Sequence, residues 1–464
     1  MIYENNKVKD IKIAYIGGGS RGWAWGLMSD LAKADDISGS VYLYDIDKQA
    51  ALDNEIIGNK MNALEDNKSD WNYKATDTID EALKGADFVV ISILPGTFEE
   101  MESDVHVPEK YGIYQAVGDT AGPGGIIRAL RTIPMFEHIA NKVKENCPDA
   151  WVINYTNPMT VCVRTLYKTF PEIKAFGCCH EVFGTQKLLC EILEEFKGIK
   201  DIDRTEIKVN VVGVNHFTWL TSAHYQNTDL FPLYREFAEK YKDSGYSKNS
   251  DTNWLNAFFE TAHRVKIDLF LKYGYIAAAG DRHLAEFSDG EKYLKNPEQV
   301  ASWMFGLTPV EWRKNHRKNL CEKSEKLKNG DEELEITITG EEGVEQIRAI
   351  LGLRQLVTNV NMPNMGQIPN LPLDAVVETN AVFTDGTVTP VFSGKVPDTI
   401  YPLVSRVLGE QEIIAEAGHK KDLDLAFSAF LVDPLVTIDS SDAKKLFDEM
   451  VENTKEYLKD YLAD

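Results

Sequence analysis

The stretch Ile11-Lys12-Ile13-Ala14-Tyr15-Ile16-Gly17-Gly18-Gly19-Ser20-Arg21-Gly22 decides the fold. Its first six residues read as a buried strand, and they run straight into a glycine-rich turn. After the turn, apolar residues from Trp23 to Ala32 recur at helical spacing. A strand, Gly17-x-Gly19-x-x-Gly22 and a helix thus follow in the order that a dinucleotide site demands. Gly17 permits the tight turn, Gly19 lets the backbone approach a pyrophosphate, and Gly22 allows close helix–strand packing, while the helix N-terminus adds partial positive charge. The next apolar run, Val41 to Tyr44, ends at Asp45. An acid there accepts from ribose hydroxyls and repels a 2′-phosphate, so the pattern favours NAD over NADP. A glycine-rich turn with no ligand is the alternative reading of the same residues.

Outward from this unit, Phe88 to Ile93, Trp151 to Asn154 and Ile173 to Gly177 are further buried-strand candidates. Strands alternating with helices predict an α/β fold, a doubly wound parallel sheet with crossover helices over residues 1–200. The texture then changes. Glu206 to Val214 reads as a strand, Asn253 to Tyr273 as a long amphipathic helix, and the charged run Lys314 to Glu342 as exposed helix and loop. Residues 201–464 are expected to form a second, α+β domain. Within it, Arg354 to Ala381 is rich in Asn, Pro and Gly, and reads either as an elaborate turn region or as the lining of a polar pocket.

The chain has 464 residues, 43% hydrophobic and 27% charged, which excludes a disordered or fibrous protein. Its 73 acidic against 50 basic residues give a formal charge of −23, which repels phosphate backbones and anionic bilayers. Nucleic acid and membrane are therefore not expected partners. No apolar run approaches the roughly 20 residues that span a bilayer, and the first ten residues are polar. Six cysteines without a framework spacing read as thiols in a reducing compartment, so a cytoplasmic location is expected.

Chemistry-bearing residues fall mostly after predicted strands. Cys179, His180 and Glu181 follow Ile173 to Gly177, and Asn215 and His216 follow Glu206 to Val214. A thiolate and an imidazole brought together from two strand ends can bind a transition metal and leave positions open for substrate oxygens. A buried Cys with a hydrogen-bonded His is the bland alternative. Asp281, Arg282, His283 and Glu286 crowd beside Gly280, either as a site or as a helix start capped by Asp281. Asn154 to Pro158, and Gly118 to Gly125 with Asp119, offer amides, hydroxyls and an acid to sugar or ribose hydroxyls, or serve as turns. Arg128 and Arg131 can hold a carboxylate or form surface ion pairs.

Taken together, the Gly17 to Gly22 loop, Asp119 to Arg131, Asn154 to Pro158, Cys179-His180-Glu181-Val182, Gly213-Val214-Asn215-His216 and Asn359 to Glu378 resemble glycoside hydrolase family 4, over nearly the whole chain. The resemblance implies a Rossmann-type domain with a C-terminal domain of the lactate/malate dehydrogenase kind. Phospho-sugar members carry Asp or Asn where this chain has His180, which points to unphosphorylated substrates. The run Gly177 to Lys187 is most similar to the α-galacturonidase branch. α-Glucosides or α-galactosides, and a 2-hydroxy acid dehydrogenase outside the family, are the alternatives.

The implied reaction is oxidation at carbon 3 by NAD, proton loss at carbon 2, elimination of the glycosidic oxygen, water addition and re-reduction. Carried over by motif position, Cys179 and His216 bind Mn²⁺ or another divalent metal. Asn157 binds sugar hydroxyls, Asp281 is the base, His180 serves the leaving group, and Asp119 orients a metal-bound water. Gly17, Gly19, Gly22, Asp45 and Asn154 hold the cofactor, while Arg128, Arg131, Arg282 and His283 are candidates for a uronate carboxylate. The resemblance also implies a homodimer or homotetramer.

Overall fold

Strand Lys7–Ile16 lies near the middle of a ten-stranded sheet in the computed structural model, which describes residues 1–248 and 252–463. Its six parallel strands run, in spatial order, Trp71–Ala75, Ile37–Tyr44, Lys7–Ile16, Phe88–Ile91, Trp151–Asn154 and Lys174–Gly177. Numbered along the chain this is the 3-2-1-4-5-6 order of a doubly wound dinucleotide-binding sheet. The order reverses between Lys7–Ile16 and Phe88–Ile91, which opens a crevice at their carboxyl ends.

Alternation builds both faces. Ile13, Tyr15, Phe88 and Val90 enter one apolar core, while Ala14, Ile16, Val89 and Ile91 enter the other. Helices cover each side, so Phe88–Ile91 is apolar at every position and Lys7–Ile16 is apolar over its last four, Ile13 to Ile16.

The sheet continues past residue 200. Leu356–Pro363 joins Lys174–Gly177 in antiparallel fashion through Asn361 and Gly177, and Val376–Thr384 and Thr387–Pro390 extend the edge. The Asn-rich segment, expected to be short of regular structure, is therefore largely a strand pair. Asn359 and Asn361 alternate with Val360 and Met362 and share one face, where buried partners satisfy their amide nitrogens. A second, four-stranded antiparallel sheet is built on Phe217–Tyr225, with Ile207–Val214 and Ile276–Ala277 among its neighbours.

The long helix expected over Asn253 to Tyr273 is shorter than its apolar pattern. Only Arg264–Tyr273 is α-helical, because His263 takes a left-handed φ of 59° and breaks the run. Val310–Asn329 is a largely exposed helix followed by irregular chain to Glu342, as its charge pattern predicts. Among the described residues no helix is long and apolar enough to cross a membrane.

Candidate active site at the carboxyl edge of the sheet

The glycine turn leaves Ile16 at the crevice. Gly17 has φ 92°, and a Cβ there would lie 2.0 Å from the Ser92 carbonyl oxygen, so no other residue fits. Close packing belongs to Gly18, whose Cβ would meet Leu43 at 2.8 Å. Gly22, to which the motif assigns that packing, has open space where its Cβ would be and lines a cavity of about 340 Å³ with Trp23, Tyr155 and His180. Its missing side chain leaves room for a ligand. Asp45 accepts from the Gly19 N–H at 2.9 Å and from Asp47 N–H at 2.8 Å, which holds its carboxylate over the turn.

Across the crevice, a hairpin delivers His216. Val214 pairs with Phe217, so Asn215 and His216 form a two-residue turn, and His216 takes φ 62°. Its buried ring stacks on His283 at 3.8 Å between centroids, and the donor atoms of Asp119, His216 and His283 all lie within 4.8 Å of one another. Burial and the neighbouring His283 lower the His216 pKa to about 3, and burial lowers that of His283 to about 4. Both rings are thus neutral at pH 7, with lone pairs free to coordinate. Burial raises the Asp119 carboxyl, but His216, His283, Arg128 and the Thr120 hydroxyl outweigh it and hold the group well below the usual range. Asn157 donates to Asp119 at 3.2 Å, and Arg128 donates to the Asn157 carbonyl at 3.1 Å.

Cys179 lies outside that trio. Burial, then Glu378 and Glu181, push its thiol pKa up, while a hydrogen bond from Asn215 opposes them. Glu378 accepts from Asn359 at 2.6 Å and from Asn215 at 3.3 Å, and Asn359 also donates to the Cys179 carbonyl at 3.1 Å. This buried amide–carboxyl web fixes the segments carrying Cys179 and His216 relative to each other.

The remaining candidates separate by geometry. His180 pairs with Glu341 at 2.9 Å, and that hydrogen bond raises its pKa against burial. Asp281 is fully buried and accepts from the backbone of Val265 and Lys266 at the start of Arg264–Tyr273, so it caps a neighbouring helix and not its own. Asn154 spends its amide on both sides of Thr156 and shapes the turn to Asn157. Arg131 is buried against Asp104 and donates to the Pro95 carbonyl, so it is spent inside the fold.

Residues 12–195 match the model of the family 4 glycosyl hydrolases, and residues 211–436 match that of the family 4 glycosyl hydrolase C-terminal domain. The chain belongs to family 4 of the glycosyl hydrolases. A protein of Thermoanaerobacterium saccharolyticum named alpha-galacturonidase is 64% identical over 99% of this chain and 98% of its own. The crystal structure of lplD from Bacillus subtilis is 53% identical, with a TM-score of 0.91 over 95% of this chain and 100% of that one. A 6-phospho-beta glucosidase from Thermotoga maritima, solved with manganese, NAD⁺ and glucose-6-phosphate, is 22% identical and shares the fold at a TM-score of 0.76 over 96% of this chain and 99% of its own.

For a family 4 enzyme the residues fit both cofactors. The open side of Gly22 and the carboxylate of Asp45 suit a dinucleotide. One carboxylate and two neutral imidazoles suit a divalent metal such as Mn²⁺. The buried Oδ1 atoms of Asn157 and Asn215 lack partners among the described residues, which leaves acceptors for a polar ligand. Glu181, which the sequence groups with Cys179 and His180, bridges the Gly280 N–H at 2.6 Å and His283 at 3.8 Å. Spacing alone missed two participants: Glu378 anchors the asparagines, and Arg313 stands near Asp119. The period-two recurrence of Asn359 and Asn361 was the available signal for the first.

Proposed function

We propose that this family 4 glycosyl hydrolase is an α-galacturonidase, which hydrolyses short α-linked galacturonate saccharides with NAD and a divalent metal, Mn²⁺ first. The observation that carries this reading is the end-to-end similarity to the T. saccharolyticum protein of that name. When bound, NAD supplies a reversible hydride acceptor and the metal a Lewis acid.

The protein's own residues supply the rest. Asp119, His216 and His283 would hold the metal, and Cys179, tied to the His216 turn through Asn215, is the further candidate ligand. Asn157 hydrogen-bonds the sugar hydroxyls from its place against Asp119. Asp281 takes the sugar proton, since burial raises its carboxyl toward the range where a base is effective. His180, whose hydrogen bond to Glu341 favours its protonated form, serves the leaving oxygen. Gly17, Gly19, Gly22 and Asp45 seat the dinucleotide, and Asn154 shapes the adjoining turn.

The family models break between residues 195 and 211, which supports a boundary near residue 200. The six cysteines are unpaired among the described residues, which supports a cytoplasmic, reducing setting. A homodimer or homotetramer completes the proposal, and light scattering measures it.

The deciding experiment incubates reduced enzyme with NAD⁺, Mn²⁺ and a chromogenic α-galacturonide in D₂O. Sugar released with deuterium at carbon 2 supports both the substrate and the elimination route. Turnover without deuterium overturns the route, and turnover of neutral α-galactosides or α-glucosides alone overturns the substrate.

A further inference from the structure

Three guanidinium groups gather around Asp119, and none of them forms an ion pair among the described residues. Arg128 comes from Gly122–Asn146, Arg282 from Asp281–Phe287 and Arg313 from the first turn of Val310–Asn329. The contacts that assemble them are specific. Arg282 donates to the Ala116 carbonyl at 2.9 Å and to the hydroxyl of Thr308, whose own N–H donates to the same Ala116 carbonyl at 3.3 Å. Arg282 also lies over the Phe259 ring at 4.9 Å, and Trp312 meets that ring edge-on at 4.8 Å. Arg313 follows Trp312, so it joins Arg282 on the side of Asp119.

The charges there do not balance. The buried Nε atoms of Arg282 and Arg313 have no hydrogen-bond partner among the described residues. Both side chains are partly buried, so water does little to offset their charge. Of the carboxylates near them, Asp119 is engaged with His216, His283 and Asn157, and Glu181 with the Gly280 N–H and His283. Burial pushes Glu286 up to about 8, so it is mostly neutral at pH 7. A local positive excess inside a chain of formal charge −23 calls for an anionic ligand, and a planar carboxylate matches the guanidinium fork.

We propose that Arg313, with Arg282 beside it, anchors the carboxylate of the uronate substrate and sets the preference for uronides over neutral glycosides. The inference rests on the α-galacturonidase reading. Arg131 is excluded by Asp104, and Arg128 is turned to the Asn157 backbone carbonyl, where it holds that segment in place. Arg313 is the side chain to test, because it is half-buried and, unlike Arg282, ties no backbone segments together.

The experiment compares wild type, Arg313→Gln and Arg313→Lys in two ways. Calorimetry measures binding of D-galacturonate and D-galactose in the presence of NAD⁺ and Mn²⁺, and kinetics give kcat/KM for the matching chromogenic glycosides. Arg313→Gln is expected to cut the galacturonate-over-galactose ratio by roughly 10- to 100-fold, with Arg313→Lys in between. If wild type prefers galacturonate and Arg313→Gln keeps that preference, the anchor lies elsewhere and the substrate reading stands. An equal loss for both sugars overturns a role in specificity. A wild type without any preference for the uronide overturns this inference together with the reading beneath it.

Discussion

At the scale of single residues, the glycine turn and the metal trio make opposite demands. Gly17→Ala forces a Cβ into the Ser92 carbonyl at a left-handed φ, so it is expected to lower the unfolding free energy by more than about 1 kcal/mol, as read by Tm. Gly22→Ala meets nothing within 4 Å; its Tm is expected to stay near wild type while NAD⁺ affinity falls, as followed by fluorescence titration. His283→Ala removes one donor of three and is expected to weaken Mn²⁺ binding at least about 10-fold by calorimetry. Asp281→Asn tests a second division. If Asp281 only caps Arg264–Tyr273, deuterium exchange at carbon 2 survives in the variant, whereas loss of exchange with sugar binding retained marks it as the base. Spacing named Asp119, His216 and His283 but gave them separate roles, because it does not say which way side chains at three strand and helix ends point.

At the scale of elements, the long helix Gly122–Asn146 begins at the site and is held there by a buried acid. Asp433 accepts from the Gly122 N–H at 2.8 Å and the Leu435 N–H at 2.7 Å, and it shares a hydrogen bond with Glu410 on Tyr401–Lys420. Burial raises both carboxyls, Asp433 to about 6, with Arg406 opposing. The folded chain thus binds more protons here than the unfolded one. The contribution of Asp433 to stability is full below the unfolded value of 3.8 and is lost as pH rises through about 6. A Tm profile from acidic to neutral pH is expected to show this falling limb, and Glu410→Gln is expected to flatten it. Elements were legible where a period was unmixed, as in Phe88–Ile91. Leu356–Pro363 was not, because asparagines on its buried face look like turn residues until Glu378 and Met159 supply partners.

At the scale of the whole molecule, the crevice takes loops from the parallel strands on one side and His216, Asp281 and Arg313 on the other. Ligands that bind only this folded arrangement stabilise it by mass action. Mn²⁺ with NAD⁺ at about 100 times their dissociation constants is expected to add roughly 2 to 3 kcal/mol per ligand, read as a rise in Tm that EDTA reverses. The parallel sheet and its NAD turn were written in the sequence, since strand periodicity, helix spacing and the need for glycine at Gly17 are all local properties of the chain. The meeting of Asp119 with His216 and His283, the web around Glu378 and the unpaired Arg313 were decided only by tertiary structure. These groups come from different segments of the chain, and no spacing rule within a segment reports which of its faces will meet another.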